Sequence, residues 1–178
     1  MNSRLFFLSS TFSRRGLGVL ALAMLALALT ACGKSTISMS DIPASGAGSS
    51  AARSAEPARI KHAVVETARS QIGVPYRRGG TAPGGFDCSG LVVWSYRQHG
   101  ISVPRTTSEQ MAAGNSVKRA SLQPGDILVF RTNSGLHTGI YTGRGTFIHS
   151  PKPGARVRED QLGSVYWSKA FREGRRLI

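Results

Sequence analysis

The chain has 178 residues, with 23 Lys and Arg against 9 Asp and Glu, a formal charge of +14. Such a balance fits an acidic polymer as partner (nucleic acid, anionic lipid or anionic cell wall). There is no internal repeat, no heptad pattern, no basic recognition helix and no aromatic stacking motif, which excludes solenoids, coiled coils and the usual nucleic-acid readers.

Residues 1–31 read as an export signal. Arg4, Arg14 and Arg15 form a basic n-region, and residues 17–29 form an apolar h-region of Leu, Ala, Val, Gly and Met, shorter than the roughly 20 apolar residues of a membrane span. The run ends Leu29-Thr30-Ala31-Cys32, which resembles a bacterial lipobox. The resemblance implies cleavage before Cys32 and lipid on that cysteine. Lys34, two residues on, departs from the Asp-based inner-membrane retention pattern. By analogy it suggests an outer-membrane anchor facing the periplasm. Cleavage removes three Arg and no acid, leaving 20 basic and 9 acidic side chains, a formal +11. In that compartment the expected polyanion is peptidoglycan, with the membrane met only through the lipid, and nucleic acid is not an expected partner. Any protein regulator is unidentified by the sequence.

Residues 32–57 then read as the lipidated cysteine and a Ser/Ala/Gly-rich flexible tether, too poor in large apolar residues to fold. Residues 58–178 hold the apolar content of one domain. Ile60, Val64, Ala68 and Ile72 recur at helical spacing, with Gly73 as the stop. A Gly-rich loop leads to Cys88, where a second helix should start and run to His99, burying Leu91, Val92 and Tyr96 before Gly100. Thr106 and Glu109 form a capping-box pattern for a short helix near Gln110. Gln123-Pro124-Gly125-Asp126 is a turn into a strand at residues 127–130. Further strands are expected at 137–141 and 146–150, with 155–158 as a fourth and 165–178 closing the fold. Helices on one antiparallel sheet give an α+β domain.

Cys88 is the chemically suggestive residue. With Cys32 consumed by lipid, it is an unpaired thiol in an oxidising compartment, and catalysis is the commonest reason for one. A thiol at a helix start sits beside unpaired N–H groups and the positive end of the helix dipole, which favour the nucleophilic thiolate. Two downstream histidines supply the expected base. If the hairpin turn centres on Gly143, His137 and His149 face each other, one imidazole acting as base and the other orienting it, while Ile140 and Ile148 face the core. His62 and His99 lie on predicted helices away from this hairpin, so no zinc set and no cofactor is implied. Arg175 and Arg176 read as a solvated terminal pair.

Asp87-Cys88-Ser89-Gly90, Pro75-Tyr76-Arg77, Pro124-Gly125-Asp126, His137-Thr138-Gly139-Ile140-Tyr141 and Phe147-Ile148-His149 resemble the NlpC-type cell-wall cysteine peptidases, papain-like in fold. The likeness is nearest to their single-domain, lipid-anchored murein endopeptidases of the Spr type. It implies Cys88 as nucleophile, His137 as base favouring the thiolate as imidazolium, and His149 as the group that orients it. It also implies Tyr76 at the oxyanion or substrate amide, and Asp87 and Ser89 where some relatives hold a substrate's amino end. Arg77 and Arg78 are candidates for substrate carboxylates. The implied reaction is hydrolysis of a murein amide through a thioester, with the D-alanyl–diaminopimelate cross-link favoured and the γ-D-glutamyl–diaminopimelate bond next. The alternatives are an amidase or acyltransferase on another envelope amide, and a non-catalytic wall-binding lipoprotein.

Overall fold

The computed structural model describes the backbone of residues 48–178 and the side chains of residues 55–178. The export signal, Cys32 and the tether up to residue 47 lie outside the described residues. Helix α1 spans Gly48–Arg69, so it starts inside the segment assigned above to the tether. Ala51, Ala52, Ala55 and Ala58 are strong helix formers, and Pro57 within the helix removes only one backbone donor. Val64, Val65 and Ala68 are buried as their spacing requires. Ile72 is not inward: the helix has ended before it, and it is 45% exposed.

A small hairpin, β1 (Thr81–Ala82) with β2 (Gly85–Phe86), closes the Gly-rich loop. Helix α2, Cys88–Arg97, follows at once, with Leu91, Val92 and Tyr96 buried. The Tyr96 hydroxyl donates to the carbonyl of Gly125 and ties α2 to the turn before the sheet. The capping box closes as expected: Glu109 N–H donates to Thr106 Oγ1 and Thr106 N–H to Glu109 Oε2, opening α3, Thr107–Ala112.

The strands are β3 (Asn115–Val117), β4 (Ile127–Thr132), β5 (Gly135–Tyr141), β6 (Thr146–His149), β7 (Arg158–Gln161) and β8 (Phe171–Arg176), with α4 (Val165–Ala170) before the last. They form one antiparallel sheet in the order β3-β8-β4-β5-β6-β7. The fourth strand expected at 155–158 thus lies three residues later. The C-terminal segment divides into α4 and a strand inserted between β3 and β4. Arg176 there is no solvated residue, since its guanidinium forks onto buried Asp126 at 2.8 and 2.7 Å.

Alternation along the strands makes two apolar layers. Ile127, Ile140 and Ile148 pack with Val64, Leu91 and Tyr96 of the helices, while Leu128, Phe130 and Phe147 pack with Trp167 and Ala170 of α4.

The β5–β6 register differs from the one expected. Ile140 pairs with Ile148 and Tyr141 with Phe147, so the turn centres on Arg144, flanked by Gly143 and Gly145 at φ +95° and +75°. The slip is two positions, so both histidines keep their face, but they are diagonal neighbours and not directly opposed. Gly139 takes the place beside His149: a Cβ there would lie 3.1 Å from that of His149 and 2.7 Å from the Phe147 ring. Gly139→Ala is expected to cost about 1–3 kcal/mol through this overpacking. Urea unfolding measures it, and a midpoint equal to that of the parent chain would count against the close approach.

Candidate active site

Cys88 is the first residue of α2 and is half-buried. Its turn is built by Asp87, whose Oδ1 accepts from Gly90 N–H at 2.7 Å and whose Oδ2 accepts from Gly79 N–H at 2.9 Å. Arg105 grips the same carboxylate through two nitrogens, at 3.0 and 2.6 Å, and also donates to Ser89 Oγ at 2.8 Å. These contacts, first the Arg105 hydrogen bonds, outweigh burial and hold the Asp87 carboxyl below its usual range. Asp87 and Ser89 therefore have partners within the chain and serve to anchor the turn that carries Cys88. Gly90 completes it: the Gly80 carbonyl lies 1.9 Å from where a Cβ would stand, so only glycine lets the loop lie against the helix. Gln110, fully buried, donates to the carbonyls of Ser89 and Pro104 and seats α3 on the same turn. This brings Thr107 Oγ1 to 3.7 Å from Cys88 Sγ.

Tyr76 stands on this side of the site. Burial pushes its phenol up, and the neighbouring Cys88 and Asp87 push it further, so the hydroxyl keeps its proton and can donate. Arg77 and Arg78 are exposed and line a cavity of about 370 Å³ along the Gly-rich loop.

Helix α2 packs on β5, the strand that carries His137. His137 Nε2 is 2.8 Å from His149 Nδ1, and His149 Nε2 is 3.0 Å from Asp160 Oδ2. The three side chains step diagonally across β5, β6 and β7, since His149 pairs with Arg158 and Asp160 stands two residues beyond it. Asp160 also accepts from the Trp167 indole N–H at 2.9 Å and from the Arg158 guanidinium. Trp167 stacks on His137, with ring centroids 5.6 Å apart and planes at 26°.

The charge states follow from burial. The hydrogen bond from His149, and then those of Arg158 and Trp167, hold Asp160 well below the usual carboxylate range. Burial pushes His149 down despite Asp160. His137 is pushed down to about 3 by burial and by His149. At neutral pH the line therefore reads imidazole, imidazole, carboxylate. With Asp160 ionised, His149 Nε2 carries the proton and Nδ1 accepts, which makes His137 Nε2 a donor and leaves Nδ1 as its lone pair. His137, expected as an imidazolium at rest, is thus a neutral imidazole.

Asp160, Arg105 and Thr107 were missed by the sequence analysis. Asp160 lies on a strand drawn three residues early, whereas Arg105 sits one residue before the recognised capping box. His99, at the end of the second predicted helix, is half-buried and bonded to Thr67 Oγ1 at 2.8 Å. Among the described residues no group of three or more His, Cys, Asp or Glu could hold a metal ion.

A buried histidine with a lowered pKa binds fewer protons folded than unfolded below about pH 6.5, so stability is complete above that pH and declines as pH falls. The expected slope is up to about 1.4 kcal/mol per pH unit for His137, continuing toward pH 3. Urea midpoints from pH 7 to 4 should show the decline, and His137→Gln should flatten it. A flat profile in the parent chain would contradict the buried neutral pair.

Residues 73–176 match the NlpC/P60 family. A probable endopeptidase of Mycobacterium tuberculosis (strain ATCC 25618 / H37Rv) is 44% identical over 112 residues, which cover 61% of this chain and 29% of that protein. The murein DD-endopeptidase MepS/murein LD-carboxypeptidase of Escherichia coli (strain K12) is 38% identical over 121 residues, covering 67% of this chain and 64% of the relative. The chain thus spans less than two thirds of either relative's length. A crystal structure of an NlpC/P60 family protein from Bacillus cereus ATCC 10987 superposes with a TM-score of 0.62 at 32% identity, covering 65% of this chain and 39% of that one. The helices over an antiparallel sheet are the α+β, papain-like fold of these proteins, and the matched stretch contains Cys88, His137, His149 and Asp160. The chain belongs to the NlpC/P60 family.

Proposed function

We propose that this protein is a cysteine peptidase that hydrolyses amide bonds of peptidoglycan. The observation that carries the reading is the buried line His137–His149–Asp160, which fixes the tautomer of a neutral base on the strand against which the Cys88 helix packs. Asp160 holds His149, His149 holds His137, and His137 Nδ1 takes the proton of the Cys88 thiol as sulfur attacks the carbonyl carbon. The Cys88 N–H, first amide of α2, and the Tyr76 hydroxyl stabilise the oxyanion. One such donor is typically worth about 10²–10³ in rate. His137 then gives its proton to the departing amine as the C–N bond breaks. It next takes a proton from water, whose oxygen displaces sulfur from the thioester, and the thiol is restored.

The names of the relatives support an endopeptidase, and that of the Escherichia coli relative supports a D,D-bond as the target. The cross-link between D-alanine and diaminopimelate is accordingly the bond we favour, with the bond after γ-D-glutamate next. The basic charge suits a wall polymer bearing carboxylates, and we read the exposed Arg77 and Arg78 on the Gly-rich loop as partners for those carboxylates. The N-terminal sequence supplies the location in this proposal: lipid on Cys32, anchored at the outer membrane and facing the periplasm.

Mass spectrometry of purified sacculi incubated with the protein or its Cys88→Ala variant tests the reading. Loss of cross-linked dimers with gain of intact monomers is expected from the parent chain alone. Identical products from both chains would remove the peptidase reading. His149→Ala and Asp160→Ala should lower kcat by about 10²-fold with KM little changed, since general-base catalysis is typically worth 10²–10⁴. Asp160→Asn, which can still accept from His149, should retain more. With His137 lowered to about 3, kcat/KM should hold through pH 5, and a midpoint near 6.5 would instead mark an exposed, ordinary imidazole.

A further inference from the structure

His137 is 6% exposed, and the surface it reaches is a cavity of about 450 Å³ also lined by Lys152, Tyr166 and Trp167. A second cavity of about 510 Å³ shares Thr132 and Tyr166 with the first and adds Arg131 and Lys169. No acidic residue lines either one. Arg131, Lys152 and Lys169 are exposed and form no ion pair among the described residues, whereas Arg69, Arg105, Arg158, Arg175 and Arg176 all do. Tyr166 is 53% and Val165 75% exposed, two of the three exposed large hydrophobic residues among those described. The groove thus joins unpaired cations to an apolar floor.

Its place relative to the chemistry decides its occupant. Cys88 lines neither cavity, and the groove meets the site at the base. The half of the substrate on the base's side is the amine half, because the base hands its proton to the leaving nitrogen. Trp167 couples the groove to that base, stacking on His137 while Tyr166, its neighbour in α4, forms the groove wall.

We propose that this groove is the leaving-group subsite and takes a short peptide with a free amine and free carboxylates. Arg131, Lys152 and Lys169 bind the carboxylates, and Tyr166 carries the peptide's apolar face. The inference rests on the peptidase reading, and its test separates the two. Calorimetry on the full chain carrying Cys88→Ala, where nothing turns over, would use a synthetic diaminopimelate-containing stem peptide with its amine and carboxylates free, beside the same peptide amidated at every carboxylate. Replacing Arg131, Lys152 and Lys169 together by Gln should weaken the free peptide about tenfold, as three exposed ion pairs allow, and leave the amidated peptide unchanged. Tyr166→Ala should weaken both peptides alike. A control with Arg97, Lys118 and Arg144 changed to Gln, none of which lines either cavity, has the same net charge and should bind like the parent. The subsite is overturned if the control loses as much, if the parent binds both peptides equally, or if it binds neither. Cation-dependent binding by a chain that releases nothing from sacculi would keep the subsite and sink the endopeptidase reading. Sacculus digestion unaffected by the groove replacements would do the reverse.

Discussion

The buried hydrogen-bond line from His137 through His149 to Asp160 is the constraint around which the second half of the chain is arranged. His149 is 0% exposed, so water cannot correct an unmet donor or acceptor there, and each unpaired group would carry a desolvation penalty of about 1–3 kcal/mol. The two ring nitrogens of His149 must therefore find one acceptor and one donor. Asp160 and His137 are those partners. That requirement goes with the register of three strands, a glycine at position 139 where a Cβ would crowd His149, and a tryptophan at 167 that donates to the carboxylate while covering His137. The sheet's twist helps, because a diagonal step between strands brings long side chains together where directly opposed ones would crowd.

Burial also sets the chemistry. Buried imidazoles shed their protons, and an imidazole that is neutral at rest can accept a proton without first releasing its own. Only the far end of the line is charged, and Asp160 is stabilised there by Arg158 as well as by the two N–H donors. On the other side of the site the arrangement differs in kind. Asp87 and Arg105 form a half-buried ion pair whose energy goes into holding a turn, with the carboxylate capping α2 and reaching back to the Gly-rich loop. Cys88 is thus positioned by a clamp of charges and His137 by a chain of neutral rings.

What the sequence made legible divides along local and non-local lines. The start of α2 at Cys88, the capping box of α3 and the inward face of α2 depend on residues within four positions of one another, and these were readable. The histidines' shared face was readable too, because side-chain alternation survives a slip of two. Their exact register was not: Gly143 and Gly145 both accept positive φ, and nothing local says which flank is the centre. Asp160 was hidden because β7 earns its place through pairing with β6, and its short polar sequence, Arg158-Glu159-Asp160-Gln161, lacks an apolar alternation. The insertion of β8 between β3 and β4 is likewise a long-range pairing with no short-range signature. The backward extension of α1 was missed for a different reason: Ser and Gly dominated the reading of a segment in which alanines set the propensity.

The distribution of charge connects fold to surface. Of the nine acidic residues, eight lie among the side chains described, and each has a partner within the chain. Glu56, Glu66, Asp87, Asp126, Glu159, Asp160 and Glu173 sit in ion pairs, and Glu109 closes the capping box. The acids are thus occupied with structure. Among the described side chains 18 Lys and Arg stand against these 8 acids, so the surplus there has no internal counterion. An excess of this kind opposes compaction by self-repulsion, which makes it costly unless something outside the chain neutralises it. Arg77 and Arg78 along the Gly-rich loop and Arg131, Lys152 and Lys169 in the groove beside His137 carry part of that excess.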